Sequence, residues 1–416
     1  MSTKKTAHRR PGPPPRAPRP EQGLQRLIAD AAASRLVSST PTPPSPARQT
    51  GATGVEPEAG PAPRSHGRLA AVAAGCAALD ELEPQSVAVA YSFATRADGS
   101  PYDATLRIVG RLVEADPAAE SGALERFDVT HVVRNIEPGV GEATVTLRTP
   151  EIRPGRWRIR VLDGAHDAVQ EIEARSGYGR VLAEAGPGVS LGAWPAAVAV
   201  GAVAGIALLG VFAQRAGLPA PSVVALALVA SLVGLVGAKL YYLVQASTGR
   251  VGLLSSAGMC IQGFVLASLA TLSLGAAVLR LPVLTLADLA IPGLLLGMAI
   301  GRLGCFYGGC CTGRLSSRRW ALRSSDRFML ARRLPVQLLE GAVSLALALA
   351  TLGNLLTRGT HPAGVLAVAA IGSYVVARQL LFGLRSTPRR TRLGRPAVGV
   401  LSGAAAAASL VLLVAH

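Results

Sequence analysis

The stretch Ile291-Pro292-Gly293-Leu294-Leu295-Leu296-Gly297-Met298-Ala299-Ile300-Gly301-Arg302-Leu303-Gly304-Cys305-Phe306-Tyr307-Gly308-Gly309-Cys310-Cys311-Thr312-Gly313-Arg314 runs from an apolar segment straight into a loop of glycine, cysteine and arginine. A charged side chain at a membrane-helix end is costly unless it meets a partner or a head group. The residues after Arg302 are small and let a ligand approach the backbone closely. Three thiols, Cys305, Cys310 and Cys311, lie within seven positions. Arginine, glycine and sulfur at such a boundary point to a site for a phosphorylated lipid, with reactive or metal-binding sulfur nearby.

Working outward, the apolar pattern predicts seven membrane-spanning helices. They are Trp194–Gln214, Pro221–Gln245, Gly258–Leu279, Leu284–Phe306, Pro335–Leu356, Gly364–Phe382 and Ala397–Ala415. Each is long enough to cross a hydrocarbon core. Their many Gly and Ala residues suit close helix packing in lipid. The longest connection, Tyr307 to Leu334, carries eight charges among small residues and reads as a structured head at one interface. Residues 194–416 are therefore expected to form one polytopic, mainly α, membrane domain.

Composition agrees. Half of the 416 residues are hydrophobic, and the mean hydropathy is +0.38. The formal charge of +17 comes almost entirely from arginine; the lysines are Lys4, Lys5 and Lys239. No aromatic interleaving or nucleic-acid motif accompanies this charge, so nucleic acid is not an expected partner. Attraction to anionic lipid head groups accounts for it better. Four of the five cysteines lie in the hydrophobic half, which excludes a secreted disulfide framework.

The first half has a different character. Residues 1–68 are rich in Pro, Ala, Ser and Arg and are expected to form a disordered tail, with a short amphipathic helix conceivable at Leu24–Val37. Residues 69–85 read as a short helix and linker. The segment 86–174 alternates apolar and polar residues in short runs, such as Val87, Val89, Tyr91, Phe93 and Phe127, Val129, His131, Val133. Turn signals at Asp98-Gly99-Ser100-Pro101, Glu137-Pro138-Gly139 and Arg153-Pro154-Gly155 separate them. This predicts a small all-β, sandwich-like domain. No catalytic constellation is visible in it; His131 reads as a packed side chain, and an unidentified protein partner is the default role. Residues 175–193 read as a linker.

Several motifs in order resemble the prolipoprotein diacylglyceryl transferase family. Gly237-Ala238-Lys239-Leu240-Tyr241-Tyr242 is similar to its Gly-Gly/Ala-Arg-Ile/Leu-Gly-Tyr segment. Gly258-Met259-Cys260-Ile261-Gln262-Gly263 is similar to its Gly-Met-Ser-Phe-His-Gly segment. Gly301-Arg302-Leu303-Gly304, with Phe306, Gly309 and Gly313, resembles its signature. Arg333-Leu334-Pro335-Val336-Gln337-Leu338-Leu339-Glu340 resembles its Arg-His-Pro-Ser-Gln-Leu-Tyr-Glu. Ile371-Gly372-Ser373-Tyr374 and Arg378 to Arg385 resemble its penultimate helix. The resemblance covers residues 194–416 and implies a bacterial inner-membrane enzyme. Such an enzyme moves the diacylglyceryl group of phosphatidylglycerol to the thiol of a prolipoprotein.

That chemistry needs arginines on the leaving phosphate and a base for the incoming thiol. The resemblance implies phosphate binding by Arg302, Arg378, Arg385 and Lys239, with Gly301, Gly304, Gly309, Gly313 and Gln337 as further signature residues. Glu340, at the start of a membrane helix, needs a cationic partner, with Arg302 and Arg378 as candidates. The departures fall on the polar network. Gln262 and Leu334 replace two family histidines, Cys305 and Cys310 replace an Asn and a Glu, and Phe382 replaces a Glu. The catalytic set expected is therefore Cys305, Cys310, Gln262 and Glu340. The spacing C-x4-C-C is not that of a usual metal site, so neither metal nor cofactor is expected. A disulfide, a low-pKa nucleophile and a packing role for the thiols stay open. A non-catalytic phospholipid-binding protein with a partner-binding β domain is the alternative function. Orientation is also open. The arginines collect on one side of the helices, which the positive-inside rule places in the cytoplasm and the resemblance places outside.

Overall fold

The computed structural model describes residues 68–72, 82–114, 125–163, 168–245, 261–357, 362–386 and 394–415. The expected tail, the Leu24–Val37 segment, Cys76 and Cys260 lie outside the described residues. So do the side chains of Ile261 and Gln262.

The N-terminal part is a β sandwich. Its strands are β1 (Arg68–Val72), β2 (Gln85–Ser86), β3 (Ala88–Ala94), β4 (Tyr102–Leu112), β5 (Arg126–Ile136), β6 (Glu142–Arg148), β7 (Arg156–Asp163), β8 (Ala168–Arg175) and β9 (Gly177–Tyr178). One sheet has the order β5-β4-β7-β8, antiparallel throughout. The strands alternate because one face is buried: Leu106, Ile108, Trp157, Ile159 and Val161 point into the core that Val89, Tyr91, Val145 and Leu147 complete from the other sheet. His131 is half-buried, and its Nε2 lies 3.0 Å from the Arg148 carbonyl oxygen, so it packs as the alternation predicts. Two segments differ from the sequence reading. Residues 69–72, expected to begin a short helix, join Arg68 in β1 along the edge of β3; pairing, not local propensity, decides the conformation of this Ala-rich run. Residues 177–184, expected as linker, form β9 and the short helix α1 (Gly179–Glu184).

Among the described residues seven apolar helices follow: α2 (Ala193–Arg215), α3 (Ala220–Gln245), α4 (Ile261–Val278), α5 (Val283–Tyr307), α6 (Val336–Thr357), α7 (Val365–Leu381) and α8 (Gly394–Ala415). Six are long and apolar enough to cross a membrane; α4 is shorter. α2 and α5 touch backbone to backbone. A Cβ on Gly201 would lie 2.8 Å from the Gly297 carbonyl oxygen, and one on Gly293 would lie 2.5 Å from that of Gly205. Only glycine permits this approach, which substitutes van der Waals contact for the hydrophobic drive that lipid does not supply.

The loop between α5 and α6 folds into a hairpin, β10 (Leu322–Ser325) and β11 (Met329–Arg333). β11 pairs with β6 through Met329↔Val145 and Leu330↔Thr144. The second sheet of the sandwich thus has the order β1-β3-β6-β11-β10, and the membrane domain supplies two of its strands. All described residues fall within a single unit, Pro63–His416. The sheet also fixes the parity of the helices. The β domain precedes α2, and the hairpin follows α5. Both lie on the same side, so an even number of crossings separates them. With α2, α3 and α5 crossing, α4 must cross too; its 18 residues are within the short end of the spanning range.

At the opposite side, Asp288 of α5 is buried and caps α7. Its Oδ2 accepts from the Gly364 N–H at 2.6 Å and its Oδ1 from the Ala367 N–H at 2.7 Å. Gly364 offers no capping side chain of its own, so a carboxylate from another helix satisfies the free N–H groups and faces the positive end of the helix dipole. Asp288→Ala is expected to cost about 2 kcal/mol or more. Thermal unfolding in detergent, with amide exchange over the first turns of α7, measures this. Asp288→Asn should retain part of the loss. An alanine variant with wild-type stability and exchange would overturn the assignment.

Candidate functional site

Glu340 lies on the second turn of α6 and is 1% exposed, a carboxylate inside the helix bundle. Such a group must be paired. Arg302 from the last turns of α5 approaches it at 2.9 Å, and Arg385 grips it with Nε and Nη2 at 3.1 and 2.6 Å. Arg302 also donates to the Tyr374 hydroxyl of α7 at 3.3 Å. Two guanidiniums therefore converge on one carboxylate. Arg302 retains the larger opening, with 13% of its side chain exposed against 8% for Arg385.

Arg385 reaches Glu340 because α7 ends early. After Leu381 the chain makes one tight 3-10 turn, Phe382–Leu384, and then extends. The extended residues lie against the signature loop: Arg314 N donates to Leu384 O at 2.9 Å, and Ser386 N to Thr312 O at 3.1 Å. Arg314 adds guanidinium bonds to the carbonyls of Gly383 and Arg385. Gly313 packs on the Leu334 carbonyl, where no side chain fits. The Phe382 ring sits 5.6 Å from the Arg385 guanidinium, so an aromatic face meets the cation.

The cysteines come together through the way α5 stops. Gly308 caps the helix, Gly309 follows at φ +66°, and Cys310 N–H returns to Cys305 O at 3.0 Å. This six-to-one bond is the Schellman termination, in which the residue after the left-handed position folds back over the last turn. Cys310 is thereby laid beside Cys305. Cys311 then adopts φ +56°, uncommon outside glycine, and returns its own side chain to the pair. The three Sγ atoms lie within 4.8 Å of one another. Hydrogen bonds from Cys305 and Cys310 hold the Cys311 thiol well below the usual thiol range, and Cys310 is pushed up as the donor. The termination thus sets side by side three thiols whose C-x4-C-C spacing is not that of a usual metal site. Gln337, 1% exposed, fixes the turn by donating from Nε2 to Cys310 O at 3.0 Å.

The structure thus gathers Arg302, Arg385, Glu340, Gln337, Cys305 and Cys310 around the end of α5. Gly304 serves packing, since a Cβ there would lie 2.5 Å from Ala197 Cβ; Gly301 faces open space. Arg378 makes no side-chain hydrogen bond or ion pair among the described residues, and its expected pairing with Glu340 is taken by Arg385. The six residues between them include the 3-10 turn that redirects the chain. Lys239 is buried on α3, 5.9 Å from the Tyr242 ring. Leu334 is buried. Sequence reasoning did not select Tyr374, although it lies in a quoted motif. It also missed Arg148 and Arg327, which connect the sandwich to the site. Arg148 donates to Arg327 O at 2.6 Å, and Arg327 donates to Gly308 O at 2.9 Å.

These features define a multi-pass membrane protein whose interfacial site pairs arginines with a buried carboxylate beside a thiol cluster. The profile described as "Prolipoprotein diacylglyceryl transferase" matches residues 180–415, more than half of the chain, and the chain belongs to that family. A protein of Rhodopirellula baltica named phosphatidylglycerol--prolipoprotein diacylglyceryl transferase is 32% identical over 143 residues, covering 30% of this chain and 28% of that one. A protein of the same name from Dehalococcoides mccartyi is 34% identical over 96 residues, covering 22% of this chain and 37% of that one. The matches span only those shares of the relatives' length.

Proposed function

We propose that the chain transfers a diacylglyceryl group from phosphatidylglycerol to a thiol, with a prolipoprotein cysteine as the acceptor its relatives' names suggest. The observation that carries this is the Arg302–Glu340–Arg385 clasp. In a low-dielectric site two guanidiniums can share one carboxylate and still offer donors to a phosphate. As phosphate leaves, its charge grows, and fixed donors stabilise that state more than the bound lipid. Tyr374 orients Arg302. The thiols beside Arg302 replace the missing histidines in activating the acceptor, which keeps Cys305 and Cys310 in the catalytic set. We place the site at the outer face of the bacterial inner membrane.

The test uses full-length protein in vesicles of phosphatidylglycerol or phosphatidylethanolamine with a peptide carrying a lipobox cysteine. A diacylglyceryl mass increment on the peptide, only with phosphatidylglycerol, is expected. No increment, with lipid binding intact, overturns the enzymatic reading. A single cysteine at the exposed Ser317, in a background whose native cysteines are serine, reports the side. Labelling of intact cells supports the outer face, and labelling only after lysis overturns it.

A further inference from the structure

We propose that Cys305, Cys310 and Cys311 form a three-thiolate site for a zinc-class divalent cation, whose open fourth position binds the thiol to be alkylated. The second half of this proposal rests on the transferase reading above; the first does not.

The geometry supports a cation. Zinc–sulfur bonds of about 2.3 Å put the sulfurs of a tetrahedral site roughly 3.8 Å apart. The three sulfurs here already lie within 4.8 Å, so rotamer adjustment closes the site without moving the backbone far. They are graded in depth: Cys305 is buried, Cys310 half-buried and Cys311 exposed. A packing role suits Cys305 but leaves Cys311 unexplained. An exposed side chain fills no helix contact, and its left-handed backbone is unfavourable for any residue with a Cβ. Cation binding accounts for both the conformation and the convergence. The turn is also held rigid, by the Gln337 bond to Cys310 and the return bond to Cys305. Three protein ligands with a free position is the arrangement of catalytic zinc; structural zinc closes all four.

The chemistry explains why the histidines are dispensable. A thiol bound to such a cation is deprotonated outright, so no separate base is needed. The acceptor thiol displaces water from the fourth position, and its proton leaves with that water. Its sulfur then forms a bond to the glyceryl carbon attached to the phosphate oxygen. The carbon–oxygen bond breaks, its electron pair stays on the phosphate oxygen near Arg302, and glycerol phosphate departs. Covalent relay through the protein's own cysteines is ruled out by the product, because a thioether does not pass its alkyl group to a second thiol.

The test is cobalt substitution in the reduced, metal-free, full-length protein in detergent. Stoichiometric Co2+ should produce sulfur-to-cobalt charge-transfer absorption and tetrahedral ligand-field bands, both removed by adding Zn2+. Each of Cys305→Ser, Cys310→Ser and Cys311→Ser should weaken binding by more than the roughly 10- to 100-fold seen for second-shell changes. Cys76→Ser should not. The lipobox peptide should shift the ligand-field bands, and its serine analogue should leave them unchanged. Absence of charge transfer in the wild-type protein, or a disulfide between any two of the three, overturns the site. Equal loss in Cys260→Ser overturns the open position. Transfer that persists in the triple serine variant overturns the metal role and leaves the transferase reading standing. Cobalt binding without phosphatidylglycerol-dependent transfer does the reverse.

Discussion

Arg302→Ala is expected to abolish phosphatidylglycerol-dependent transfer, while Arg318→Ala leaves it unchanged. Arg302 is mostly buried and joins Glu340 and Tyr374, whereas the Arg318 side chain is exposed in the head loop. Removing a charged hydrogen-bond partner at a buried site costs about 2–5 kcal/mol. That corresponds to a rate loss from roughly 30-fold to several thousand-fold. Arg302→Lys keeps the charge but loses the planar fork, and an intermediate rate is expected. Initial rates on phosphatidylglycerol vesicles decide the matter. Small and equal losses at Arg302 and Arg318 would sink the phosphate assignment.

The second large effect is on stability. Glu340→Ala leaves Arg302 and Arg385 facing one another without their counter-charge. Breaking a buried pair from one side costs about 3–5 kcal/mol, mostly as the penalty of the charges left behind. Thermal unfolding in detergent should fall accordingly. A second change, Arg385→Met, made in the Glu340→Ala background should recover part of the loss, since it removes one stranded cation. If the double variant is less stable than Glu340→Ala alone, Glu340 acts through packing and not through charge.

Both predictions concern residues that the sequence marked in advance. Beyond Trp194 the chain holds only three acidic residues, Asp288, Asp326 and Glu340. Each is used: Asp288 caps α7, Asp326 pairs with Arg333 at 2.5 Å, and Glu340 is clasped. A carboxylate amid apolar helices is legible because its cost demands a partner. The identity of the partner is less legible. Arg378 and Arg385 both follow the penultimate helix pattern, and only the end of α7 at Leu381 decides between them. The helices themselves were readable, since long apolar runs have one solution in lipid. The strands of 86–174 were readable from alternation. The pairing of β6 with β11 was not, because nothing local in Met329–Arg333 records a partner so distant in sequence. The thiol cluster was hidden for a related reason. Spacing tables assume a straight helix or a hairpin, whereas Gly309 and Cys311 fold the chain back twice within a few residues.

The pairing of β6 with β11 also imposes an order on synthesis. Val145 must wait for Met329, about 180 residues later, which at 5–20 residues per second is on the order of 10–40 s. Throughout that interval β6 presents an unpaired edge, the surface most prone to join a neighbouring chain. Four helices must enter the membrane before the strand that covers it emerges. A nascent chain stalled between Arg148 and Met329 would therefore be a vulnerable species, and any factor that shields the edge during translation would act in this window alone.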